Sequence, residues 1–191
     1  MGSAEYVLVF VAIVLGLALT DVLVSLHKLL RARGRVRWDW AAPACAFIAV
    51  MLLLMIWWSQ FPKSPDAHLH MTIGQFLPLF VALVLLFLLA SAALPDEVPA
   101  EGVDLKAYYE RNRPYFWTLL TLDMGWTMGT ELWPRIADGG DPVGLVLDRS
   151  ADVVFLALFA SLIFVRWRWW NAIVIVVAML GPIGWLSKSI G

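Results

Sequence analysis

The chain has 191 residues, 61% of them hydrophobic and only 15% charged, with a mean hydropathy of +0.78. A soluble domain is roughly half apolar and about a quarter charged, so the surplus points to lipid as the solvent. A formal net charge of −1 lacks the basic excess of a nucleic-acid footprint, which excludes nucleic acid as an expected partner.

No Lys or Arg precedes the first apolar run, and that run continues well past the length of a signal-peptide core, so it is expected to be retained as a span. Gly2 is followed at position six by Tyr6 rather than Ser or Thr, so N-myristoylation is not expected. A span needs about 20 apolar residues to cross a hydrocarbon core of roughly 30 Å. Six windows qualify, approximately 5–28, 40–61, 73–94, 114–134, 145–166 and 169–188. The fourth and fifth are the weakest, because they carry Asp123, Glu131 and Asp152. They are kept because neither would be stable as a lipid-exposed loop. Between the third and fourth, residues 95–113 begin as an acidic, Pro-rich loop and continue as DLKAYYERNRPYF. There Leu105, Tyr108 and Tyr109 fall at i, i+3 and i+4, which predicts a short interfacial helix. Asp104 would cap it, and Pro114 would open the following span. Asp138-Gly-Gly-Asp141 reads as a turn, and no separate domain is expected within 1–191. The expected fold class is therefore all-α, a polytopic membrane helical bundle of about six transmembrane helices.

With the N-terminus outside, the inner loops hold Lys28, Arg31, Arg33, Arg35, Arg37, Lys106, Arg111, Arg113, Arg166 and Arg168, ten of the 14 Lys and Arg residues. The positive-inside rule thus predicts N-out and C-out. Tryptophan agrees independently, because its amphipathic ring prefers the headgroup level. Trp38, Trp40, Trp117, Trp167, Trp169 and Trp170 fall near the inner interface, Trp57, Trp58, Trp133 and Trp185 near the outer one, and only Trp126 deep. Six spans divide into three plus three, the arrangement of inverted-repeat transporters, although the two halves share no convincing self-similarity.

An ionisable group inside a bilayer costs several kcal/mol unless paired or hydrated, so each is a functional candidate. Asp123 lies ten residues after Arg113, which at about 1.5 Å per residue places it near the midplane. Thr127 and Glu131 follow at i+4 and i+8 with Thr130 beside them, and Asp21, Ser25 and Lys28 form a second polar stripe on the first helix, next to His27. If these faces meet, Asp21, Asp123 and Glu131 form a ladder suited to a proton or cation path. The competing reading is polar glue, in which the carboxylates accept hydrogen bonds and fix helix packing. For Glu131 an ion pair with Arg149 is the simpler expectation. Asp66, His68 and His70 carry metal-capable groups in a loop but form only a lone His-x-His, so no metal site is expected. The four lysines all fall near span ends, which excludes a retinal Schiff base. The three histidines do not share a depth suited to two-histidine haem ligation. The single cysteine, Cys45, lies in an apolar run without a disulfide or thiolate partner. No hydrolase signature and no phosphate-cradling Gly-rich loop is present.

The segments VFVAIVLGLALTDVLVSLHKLLRARGRVRWDW, IWWSQF, ALPDE and DLKAYYERNRPYF, in that order and spacing, resemble a loosely defined group of small bacterial multi-pass inner-membrane proteins. The resemblance covers about the first 120 residues. It implies a bacterial inner-membrane setting and carries over no activity, site or cofactor. Asp21 and Asp123 are not part of the shared pattern. The leading expectation is a non-enzymatic multi-pass membrane protein with a proton or cation path through Asp21, Asp123, Thr127 and Glu131. The alternative is an accessory subunit of a larger energy-transducing or pigment-binding assembly. Expected partners are the lipid bilayer and either other membrane subunits or further copies of the chain.

Overall fold

The computed structural model describes residues 3–59 and 73–186. Among these it holds seven α-helices: α1 (Ser3–Arg31), α2 (Ala41–Ser59), α3 (Ile73–Ala93), α4 (Leu105–Ala137), α5 (Pro142–Asp148), α6 (Ser150–Phe164) and α7 (Arg168–Leu186). A 3₁₀ turn at Arg33–Arg35 and two-residue strands β1 (Val36–Arg37) and β2 (Val103–Asp104) complete the described elements. The fold is all-helical, as the apolar runs predict. Three helical stretches, Tyr6–Arg31, Ala41–Ser59 and Phe76–Ala93, are long and apolar enough to cross a membrane.

The fourth and fifth expected windows are built differently. The predicted interfacial helix and the span after it are one continuous helix, α4, of 33 residues with Pro114 and Pro134 inside it. Pro114 removes the hydrogen bond that the Glu110 carbonyl would accept, yet the helix continues through it. The window at 145–166 divides at Arg149 into α5 and α6. Asp141 caps α5 by accepting from the Val143 and Gly144 amides, with Pro142 in the first turn. Helix α6 has 15 residues, about 22 Å at 1.5 Å per residue, which is short of a bilayer core.

Helix α3 is central and packs against α1, α2 and α4; α4 packs also on α6 and α2, and α7 on α2 and α6. The α3 face Leu83, Leu86, Leu89 and Ala90 is almost wholly buried. Ala18, Ala42 and Ala49 on the neighbouring helices are equally covered. Small side chains at these crossings let helix backbones approach closely, the usual device where water does not drive association.

At one end of the bundle the basic α1–α2 connection is clamped to the acidic α3–α4 connection. Strands β1 and β2 pair in parallel, Val36 with Val103 and Arg37 with Asp104, and the Lys28 Nζ donates to the Asp96 carbonyl at 2.8 Å. Gly102 (φ +96°) closes this clamp against the Arg35 carbonyl, a position with neither the backbone angle nor the room for a side chain. Asp104 caps α4, accepting from the Lys106 and Ala107 amides at 2.9 and 3.1 Å. Those amide bonds, foremost from Ala107, together with Arg37 hold its carboxyl below the usual range. A depressed folded-state pKa stabilises above the unfolded value and is lost as pH falls through the folded one. Unfolding midpoints are therefore expected to drop below about pH 4, and Asp104→Asn should flatten that part of the profile.

Candidate functional site

The same end of the bundle contains a cavity of about 530 Å³. One wall is the first half of α4, where Lys106, Tyr109, Glu110, Arg113 and Pro114 recur at i, i+3, i+4, i+7 and i+8 and so share a face. The opposite wall is the start of α7, where Arg168, Asn171 and Ile175 recur at i, i+3 and i+7. Arg111, Arg166 and the segment Asp39–Trp40–Ala41 complete the lining. Helices α4 and α7 make at most marginal contact with each other while both pack on α2, which leaves the gap open.

A buried polar network holds these walls in place. The Asn171 Nδ2 donates to the Val165 and Trp167 carbonyls at 3.1 and 2.9 Å, capping the chain between α6 and α7. This fixes its amide orientation, and its Oδ1 accepts from the Tyr109 hydroxyl at 2.7 Å. The Trp117 Nε1 donates to the same Tyr109 oxygen at 3.2 Å. Burial pushes the Tyr109 phenol well above its ordinary pKa, so it remains a neutral donor. Across the cavity mouth Arg168 pairs with Asp39 at 3.1 Å, and Asp39 also accepts from the Ala41 amide at the start of α2.

The electrostatics are one-sided. Arg113 is only 7% exposed; its Nη1 donates to the Val165 carbonyl at 2.6 Å, and its Nε has no hydrogen-bond partner. Guanidinium stays charged under all ordinary conditions, and an unpartnered buried donor costs about 1–3 kcal/mol or more when charged. Lys106, Arg111 and Arg166 are exposed and in no ion pair among the described residues. Five cationic side chains thus face two carboxylates, Asp39 and Glu110, the first already paired with Arg168. The arrangement supplies forked donors and an excess of positive charge. Among the described residues the lining contains no Ser, Thr, Cys or His to act as a nucleophile or imidazole base.

The residues expected to form the carboxylate ladder are not all brought together. Asp21 is half-buried on α1, and α3 packs against both α1 and α4, which are not themselves a packed pair. Asp123 is 7% exposed and one of its oxygens has no hydrogen-bond partner. Thr127 does not supply one, because its hydroxyl donates to the Asp123 and Met124 main-chain carbonyls at 3.0 Å. Thr130 is likewise committed to the Thr127 carbonyl. Glu131 is ion-paired with Arg149, which also holds Asp152 at 3.2 Å, tying α4 to the α5–α6 joint. His68, His70 and Asp66 lie outside the described residues. Among the described residues no group of three His, Cys, Asp or Glu side chains is placed to hold a metal.

The cavity itself was not anticipated from the sequence, which assigned Arg111, Arg113, Arg166 and Arg168 only to topology. The available signal was the face shared by Lys106, Tyr109, Glu110 and Arg113, which places a tyrosine and two cations on one helical stripe. No protein-family model, curated protein or solved structure matches the chain.

Proposed function

We propose that the chain is a non-enzymatic multi-pass protein of the bacterial inner membrane that binds an anionic ligand in the cavity between α4 and α7. In this reading it has six spans, the fifth made by α5 and α6 together, with the basic end of the bundle in the cytoplasm. The Lys and Arg distribution supports that orientation. The observation that carries the reading is the excess of five cationic side chains over two carboxylates around the cavity, with Arg113 almost wholly buried at its wall. A bound oxyanion would offset that excess through charge-assisted hydrogen bonds from the cationic side chains that line the cavity. The test is thermal unfolding of the detergent-purified chain in phosphate against chloride at matched ionic strength. A ligand at a hundredfold excess over its Kd stabilises by about 2.7 kcal/mol, so phosphate should raise the midpoint clearly. Coincident curves across a full phosphate titration would sink the reading.

A second reading, a proton or cation path, is favoured by the unpartnered buried oxygen of Asp123. Because α3 lies between α1 and α4, this path would run along α4 and not through Asp21. In vesicles carrying an imposed gradient, Asp123→Asn should then abolish flux while Asp21→Asn leaves it intact. Flux that survives Asp123→Asn removes the path.

A further inference from the structure

The cavity is bounded by more than charge. Its wall also includes Ala41, Pro114 and Ile175, which give it an apolar side next to the guanidinium groups. One exposed indole lines it, and two more flank Arg168 in sequence. Trp40 lines it and is 46% exposed, and Trp167 and Trp169, between which Arg168 lies in sequence, stack with ring centroids 5.9 Å apart. Exposed indole rings settle at the level where headgroups meet acyl chains. The guanidinium cluster therefore sits at headgroup depth, with an apolar wall leading from it.

A freely diffusing phosphate would need only the charges. An amphiphile uses the charges, the apolar lining residues and the exposed Trp40 indole together. Resting on the anion-site reading above, we infer that the ligand is the phosphate headgroup of an anionic glycerophospholipid. Its phosphate oxygens accept from Arg111, Arg166 and Lys106, the Arg113 guanidinium adds its charge at the wall, and the acyl chains leave past Pro114 into the bilayer. The Arg113 guanidinium, already held by the Val165 carbonyl, is preorganised for this and loses little side-chain freedom on binding.

The experiment uses the full chain in phosphatidylcholine nanodiscs with or without phosphatidic acid. Native mass spectrometry reads the lipid that stays bound, and thermal unfolding reads stability. Soluble glycerol phosphate serves as the headgroup without chains. The wild type is expected to retain phosphatidic acid over phosphatidylcholine by at least about tenfold and to prefer it to glycerol phosphate by a similar factor. Arg113→Met should lose about tenfold or more of the retention, and the exposed Arg166→Gln about threefold, in line with removing a buried and a surface phosphate contact. Because Arg166 is exposed, its variant keeps the test decisive if Arg113→Met does not fold. Equal retention of the two lipids overturns the lipid assignment. If inorganic phosphate still stabilises the wild type in that case, the anion site stands and its ligand is soluble; if it does not, both readings fall. Retention unchanged in both variants also overturns the assignment, because it would show only general attraction to an anionic surface.

Discussion

Arg113→Met is expected to leave the ligand-free protein as stable as the wild type, or more stable by about 1 kcal/mol, while lowering anion affinity by about 10- to 100-fold. The two effects have one origin. Arg113 carries a full charge into a position only 7% exposed, and its described hydrogen bond is to the neutral carbonyl of Val165. Removing a buried charge that lacks an opposite charge relieves desolvation, and methionine fills much of the same volume with a flexible apolar chain. The Val165 carbonyl is not orphaned, because the Asn171 amide still donates to it. Retaining such a residue at a cost in stability is the mark of a site that binds, the usual trade between stability and function. Thermal unfolding with and without phosphate separates the alternatives. A variant destabilised by several kcal/mol without ligand would make Arg113 an anchor between α4 and α6, and the anion site would lose its main support.

The sequence made the helices legible and left their neighbours hidden. Uniform apolar runs such as 9–19 and 79–90 leave no choice but a helix, and the Asp104 cap sits where the pattern puts it. Pro114 misleads, because proline after a charged segment reads as a boundary, whereas here it lies inside a continuous helix. Arg149 was equally opaque. Its neighbours suit a helix on both sides, and the break arises where its side chain reaches both Glu131 and Asp152. The ladder of Asp21 and Asp123 requires α1 beside α4; periodicity orients a face without naming what it meets, and α3 is the helix that packs on both. The cavity was hidden for the same reason. Asp39, Tyr109, Arg113 and Asn171 are far apart in sequence, and only the packing of α2, α4, α6 and α7 brings them to one gap.

Trp117→Ala is expected to cost about 3 kcal/mol or more of stability and to weaken the cavity at a distance. The indole is fully buried, stacks on Phe159 of α6 at 5.6 Å and 30°, and meets Phe116 edge-on at 5.2 Å. In a bundle surrounded by lipid the gain from leaving water is small, so the cost comes from lost dispersion contacts and an unfilled void between α4 and α6. The same indole donates to the Tyr109 oxygen, and through Tyr109 and Asn171 it reaches the Val165 carbonyl that also holds Arg113. Trp117→Phe separates these contributions: it keeps most of the ring packing and deletes the N–H donor, so it should cost only about 1 kcal/mol. A double-mutant cycle with Phe159→Ala should show coupling of about 1 kcal/mol for the stacked pair. If Trp117→Ala lowers stability and phosphate binding together while Trp117→Phe changes neither much, packing positions Arg113. If Trp117→Phe alone weakens binding, the hydrogen-bond chain does so, and Tyr109→Phe should then reproduce the loss.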